Sequence, residues 1–129
     1  TLGATNRGQQ AYRLENNQFA PTLDDLALGV KADTNNYLYQ SAASGGTTGA
    51  FGKPVTDLTK SASLFANAKD TAAVRHYAGA VYITTDTQSN ATTTTLLCEG
   101  ASPGQAATPT TTAPTGITAG VTCTAGKAL

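Results

Sequence analysis

His76 is the only histidine in the 129-residue chain, so an imidazole base, if the protein used one, would have to be this residue. A Ser-His-Asp arrangement needs that base beside a nucleophile and held by a third group. His76 instead sits next to Arg75 in RHYAGAVYITT, a stretch with the look of a strand, and reads more simply as a strand-end surface residue. The acids are Glu15, Asp24, Asp25, Asp33, Asp57, Asp70, Asp86 and Glu99, of which only Asp24 and Asp25 adjoin. Helix neighbours point about 100° apart, so this pair does not share a proton as an acid/base couple. Both are better explained as first-turn acids favoured by a helix dipole. The glycine-rich run before Lys53 is not a phosphate loop, because Thr47 stands where glycine is needed and Pro54 where serine or threonine is needed. Cys98 and Cys123 have no zinc-type spacing. No catalytic, cofactor-binding or metal-ligating residue is therefore assigned, and the expectation is a protein that is not an enzyme and uses no cofactor.

The two cysteines allow two readings. One is a disulfide closing a C-terminal loop, contributing roughly 3–4 kcal/mol in the chain-entropy model. The other is a pair of reduced, buried thiols. The disulfide is favoured, because the chain between them is too polar to hold itself together. Asn90-Ala91-Thr92 matches a glycosylation sequon, a match that is most often accidental. The Thr/Pro run Ala106 to Thr115 is either a carrier of O-linked sugar or a bare loop. Lys53, Lys60, Lys69 and Arg75 have acids among them and read as ordinary solvated charges rather than a DNA-binding patch.

Composition bounds the rest. Charged residues make up 12% of the chain and net charge is zero. Neither nucleic acid nor an acidic membrane is thus an obligatory partner. Threonine, with 24 residues, is concentrated in the second half. A polar but weakly ionic surface suits an extracellular protein and suppresses repulsion between like subunits.

The elements follow from local pattern. Gln9 to Glu15 favours helix, with Ala4, Gly8, Ala11 and Tyr12 near one thin apolar face. Asn16 and Asn17 interrupt it and Pro21 bars continuation. Thr22 can cap a second short helix, with Asp25 three residues on. Leu23, Leu26 and Ala27 supply that helix's buried face, and Gly29 suits its left-handed end. The first helix has too little apolar surface to stand alone. The chain also opens on Thr1 within the helical pattern, so it is expected to be the cut end of a longer helix. Tyr37 to Gln40 is a short strand candidate, Ser41 to Gly52 a flexible loop, and Thr56 to Asn67 weakly helical. Arg75 to Thr85 is the best strand, with Tyr77, Gly79, Val81 and Ile83 on one face and His76, Ala78, Ala80, Tyr82 and Thr84 on the other. Asp86 to Asn90 is a turn, and Ala91 to Glu99 returns as the second arm of a hairpin with a loop of about five residues. Pro109 and Pro114 exclude their segment from a central strand, and Ile117 to Thr124 could form a last strand. A helix followed by mostly antiparallel strands predicts one α+β domain with the helix on one sheet face.

NRGQQAYRLENNQFAPTLDDLALG, from Asn6 to Gly29, resembles the head-domain entry of cyanobacterial type IV pilins, of the pilin-like G/H type. Tyr77 to Tyr82 is similar to that family's Y-V-G-G-V-F strand. Thr93 to Glu99 resembles its Cys-bearing strand, which precedes a Pro/Gly/Thr-rich tail. The match is weak between Gly45 and Leu64. The resemblance implies a helix lying on an antiparallel sheet of about four strands. Residues 1–17 would be the end of the long helix, 29–67 the αβ-loop region and 98–123 a C-terminal loop bounded by Cys98 and Cys123. Tyr12, Phe19, Leu23 and Leu26 would fix the helix onto the sheet.

The resemblance also implies assembly rather than catalysis. Partners would be other pilin subunits, a prepilin peptidase and the pilus machinery acting through a segment ahead of Thr1, with DNA or surface ligands in addition. The full-length subunit would be anchored in the inner membrane and then enter an extracellular filament, whereas the isolated head would be monomeric. Rival readings are a minor pilin, a type II secretion pseudopilin, or a secreted carbohydrate- or surface-binding module with the tyrosines as its platform.

Overall fold

Helix α1 runs from Leu2 to Asn16. It ends where the asparagines predict: Asn17 adopts φ 59°, a left-handed conformation that asparagine tolerates better than most residues. In this computed structural model, residues 2–26, 29, 31–42, 45–54, 58–85, 91–105, 107–109 and 122–128 are described. The four-residue helix α2, Leu23–Leu26, begins behind Thr22. The Thr22 hydroxyl accepts the Asp25 N–H at 3.3 Å and donates to the Asp25 carboxylate at 2.8 Å, a short version of the capping box. Gly29, expected to end this helix, lies at φ 71°, a left-handed conformation open to glycine, but three residues beyond the last residue of α2.

Eight strands follow: β1 (Tyr37–Ala42), β2 (Gly45–Thr48), β3 (Ser61–Ala68), β4 (Tyr77–Thr85), β5 (Ala91–Glu99), β6 (Thr108–Pro109), β7 (Cys123–Ala125) and β8 (Lys127–Ala128). Six form one sheet in the order β2-β1-β3-β4-β5-β8, and β6 pairs with β7 in a second, two-stranded sheet. All pairings are antiparallel. The sheet therefore has six strands, not about four. Its four longer strands are β1, β3, β4 and β5, while the edges are strands of four and two residues. Such short edges carry almost no periodic signal, and β2 falls in a stretch whose glycines and threonines read as a loop.

The weak helix expected over 56–67 is overturned at Ser61–Ala68, which is strand β3, buried along its whole length. Alanine and leucine favour helix only slightly, and burial on both faces of a sheet outweighs that preference. Ala62, Leu64 and Ala66 join Phe19, Leu23, Tyr39, Phe51 and Val81 in a core on the α1 side of the sheet. Phe65 joins Ala78, Ala80, Tyr82, Leu96 and Cys98 in a separate core on the opposite side, closed by Ala107 and Cys123. The predicted alternation along β4 holds: Val81 lies in the first core and Ala78, Ala80 and Tyr82 in the second. The hairpin turn at 86–90 and residues 110–121, with them most of the last strand expected over Ile117 to Thr124, lie outside the described residues.

Candidate functional site

The seat of α1 is polar. The buried residues of the helix are Thr5, Asn6 and Gln9, not the predicted stripe of Ala4, Gly8, Ala11 and Tyr12. Gln9 is fully buried. Its amide donates to the Ala20 carbonyl at 2.9 Å and accepts the Ala20 N–H at 2.7 Å. Both backbone groups of a fully buried residue are thus satisfied by one side chain. Asn6 donates to Leu96 O and Gln10 to the Thr93 hydroxyl, tying α1 to β5. Gly79 lets the helix approach, since a Cβ there would meet Leu2 Cβ at 3.3 Å and Asn6 Oδ1 at 3.4 Å. An amide-rich helix without an apolar face can therefore be anchored by hydrogen bonds to backbone.

The expected packing residues take different parts. Phe19 is fully buried and Leu23 nearly so, both in the α1-side core. Leu26 is half-buried against that core, and Tyr12 is half-buried on α1. The link between the helices is held by its backbone: Phe19 N–H donates to Leu58 O at 2.8 Å, Leu23 N–H to Gly49 O at 2.8 Å, and Phe51 N–H to Pro21 O at 2.9 Å.

Beyond the start of α1 the same sheet face opens into a cleft of about 250 Å³, lined by Leu2, Gly3, Tyr37, Tyr39, Tyr77 and Leu97 among others. Tyr37 and Tyr77 meet edge to face with centroids 6.0 Å apart. Glu99 anchors the rim: it accepts from the Tyr77 hydroxyl at 2.8 Å and from Arg75 at 3.1 Å, with Lys127 at 3.7 Å. The Tyr77 hydrogen bond, with the Arg75 and Lys127 charges, holds the Glu99 carboxyl below its ordinary range. The same bond, with some burial, raises Tyr77, while burial raises Tyr37. Tyr37 donates to Arg75 O at 2.9 Å. His76 sits just before β4, and its Nδ1 accepts the Ala68 N–H at 2.9 Å, which is structural work. Lys69 pairs with Asp33.

On the opposite face Cys98 and Cys123 form a disulfide with Cα atoms 5.9 Å apart. Fully buried Cys98 belongs to β5 and Cys123 to β7, so the bond fastens the β6–β7 pair over the second core. Tyr82, fully buried there, is raised by burial and stays protonated. Among the described residues no group of three or more His, Cys, Asp or Glu side chains is placed to hold a metal ion. Nor, among them, is any helix long and apolar enough to cross a membrane.

Sequence reasoning missed Gln9, Asn6 and the Glu99 rim. The rim was within reach: a five-residue loop at 86–90 fixes a hairpin register in which Tyr77 faces Glu99, and that is the observed pairing. A helix laid by amide contacts on an antiparallel sheet, with a stapled C-terminal cover behind, is compatible with a pilin-like head. The family model for type IV pilin-like G and H proteins matches residues 1–124, and the chain belongs to that family. No curated protein and no solved structure matches the chain. Membership makes it a pilin-like structural subunit that assembles with other pilin subunits.

Proposed function

We propose that this chain is the head of a type IV pilus subunit of the cyanobacterial kind, which acts by building an extracellular filament for motility, adhesion or DNA uptake. The observation that carries the reading is the family match over nearly the whole chain, on a helix-and-sheet fold. In this reading residues 1–17 are the end of a longer helix, whose upstream part is processed by a prepilin peptidase and anchors the subunit in the inner membrane before assembly. Residues 29–67 serve as the αβ region, although they include β1, β2 and most of β3. Residues 98–123 form the disulfide-bounded region, and Tyr12, Phe19, Leu23 and Leu26 help hold helix to sheet. The exposed parts of the αβ region and of 100–122 are the candidate subunit contacts.

The disulfide favours a pilus subunit over a secretion pseudopilin. The surface-binding alternative draws on the tyrosines, three of which meet in the cleft. Their rings lie at 37° and 67° to one another and two hydroxyls are engaged within the subunit, so they form a notch rather than a flat stacking platform. Shearing filaments from the cell surface and identifying their subunits by mass spectrometry tests the reading. Peptides of this chain are expected in the filament fraction, and their absence from filaments of cells that express the protein would sink it.

A further inference from the structure

We propose that the free edge of β5 pairs, strand to strand, with the same edge of a second copy of this chain about a two-fold axis. β5 pairs with β4 over all nine of its residues, but on its other side β8 covers only Cys98 and Glu99. The Gly100 N–H donates to His76 O at 2.9 Å, in line with the β4–β5 register. Bonding alternates along an antiparallel strand, so Thr92, Thr94, Leu96 and Cys98 turn their backbone groups to β4. Thr93, Thr95 and Leu97 turn theirs outward. Thr92 and Thr95 are exposed, and the Thr95 N–H and C=O meet no partner among the described residues. Such an unpaired row is a template for another strand. From Ala91 to Leu97 it carries no charge, proline or glycine, and its register has no bulge. The opposite edge of the sheet is blunted: β2 is four residues long, begins with Gly45 and Gly46, and pairs with β1 in a shifted register.

The edge is complementary to itself. Its free length, Ala91 to Leu97, centres on Thr94, and β8 blocks pairing beyond Leu97. A copy turned about a two-fold axis through Thr94 sets Thr93 opposite the partner's Thr95, Ala91 opposite the partner's Leu97 and Thr94 opposite the partner's Thr94. Every outward N–H and C=O of the stretch then gains a partner. No like charges face each other, and threonines opposite one another are favourable cross-strand pairs. A charged strand would find no counter-charge on this row. α1 lies mainly over β4, so the two helices sit three strand spacings apart, roughly 14 Å, clear of the usual helix packing distance of about 8–10 Å. A single strand pair is small beside a stable interface of about 1,600 Å², so the dimer is weak and depends on concentration. It departs from the monomeric head that the family resemblance implies, and it goes beyond the filament reading without depending on it.

Sedimentation and single-cysteine cross-linking of the chain test the pairing. The unaltered chain is expected to sediment as a monomer–dimer equilibrium as its concentration rises. Thr94→Cys, mildly oxidised, should give a dimer on a non-reducing gel, with peptide mapping placing the bond between the two copies of position 94, because directly opposite Cβ atoms in a non-bonded pair lie within disulfide reach. Thr92→Cys should stay monomeric, since its counterpart lies about four residues along the strand, roughly 13 Å away. Thr95→Pro removes an outward N–H from each copy without touching the β4 ladder. It should weaken the dimer about tenfold or more while the melting temperature of the monomer stays near that of the parent. A chain that remains monomeric at every concentration would overturn the proposal. So would Thr92→Cys cross-linking as readily as Thr94→Cys, or a dimer that Thr95→Pro leaves as tight as before. None of these results bears on whether the chain enters filaments, so the functional reading stands or falls separately.

Discussion

The two faces of the sheet are covered by opposite means. The face under α1 is closed by the N-terminal segment through side-chain amides and the buried anchors Phe19 and Leu23. The opposite face is closed by short C-terminal strands that bring small residues and one covalent bond. The difference follows from what each cover can contribute. A 15-residue helix has many side chains with which to reach backbone partners. A two-residue strand paired with a three-residue one buries too little to stay in place unaided, and cross-linking offsets that lack by restricting the unfolded chain.

Removing Phe19 should break the α1 side most severely. Phe19→Ala is expected to cost about 3–5 kcal/mol, the usual loss for a buried phenylalanine, measured by guanidinium unfolding. A loss under about 1 kcal/mol would show that the backbone bonds of the link, not this ring, hold the cover. Opening the staple comes next. Cys98→Ser with Cys123→Ser, or reductant on the unaltered chain, should cost roughly 3–4 kcal/mol. Tyr82 reports where the loss falls: its phenol, shielded in the native state, should move towards the ordinary tyrosine range in an ultraviolet titration of the folded, reduced protein. If Tyr82 stays shielded, the staple does not hold the cover in place.

Gln9→Ala tests the amide seat. It leaves the Ala20 N–H and C=O buried and unpaired, and a buried unpaired group costs about 1–3 kcal/mol. The expected loss is roughly 2–3 kcal/mol, since water can enter part of the space left. Combining this change with removal of the staple sharpens the comparison. The two sites share no partner and lie on opposite faces, so their losses should add within about 0.5 kcal/mol. Strong coupling would mean that the sheet transmits strain between its covers.

Much of this architecture was legible. The helix stop at Asn16–Asn17, the Thr22 cap and the β4–β5 hairpin all depend on local chemistry, and all appear where their residues predict. What failed depended on distant context. SASLFANA has helix-forming residues, and only the neighbours β1 and β4 make it a central strand. The inward turn of Thr5, Asn6 and Gln9 was hidden because polar residues normally mark the outer face of a helix. Their partners, Ala20 and Leu96, are backbone groups that leave no trace in side-chain patterning.

The smallest effect expected concerns the rim of the cleft, and its sign follows from linkage. The folded-state pKa of Glu99 lies below the ordinary value, chiefly because the Tyr77 hydroxyl donates to the carboxylate. Such a group adds stability at pH above the unfolded carboxylate pKa and loses it as pH falls through the folded value. Tyr77→Phe removes the donor and leaves the ring in the cleft. The variant should therefore be less stable than the parent near neutral pH, with the gap narrowing on acidification through the carboxylate range. Thermal melts at stepped pH measure it. No gap at any pH would assign the role of Tyr77 to packing against Tyr37 alone. The hydrogen bond to Glu99 would then be incidental to stability.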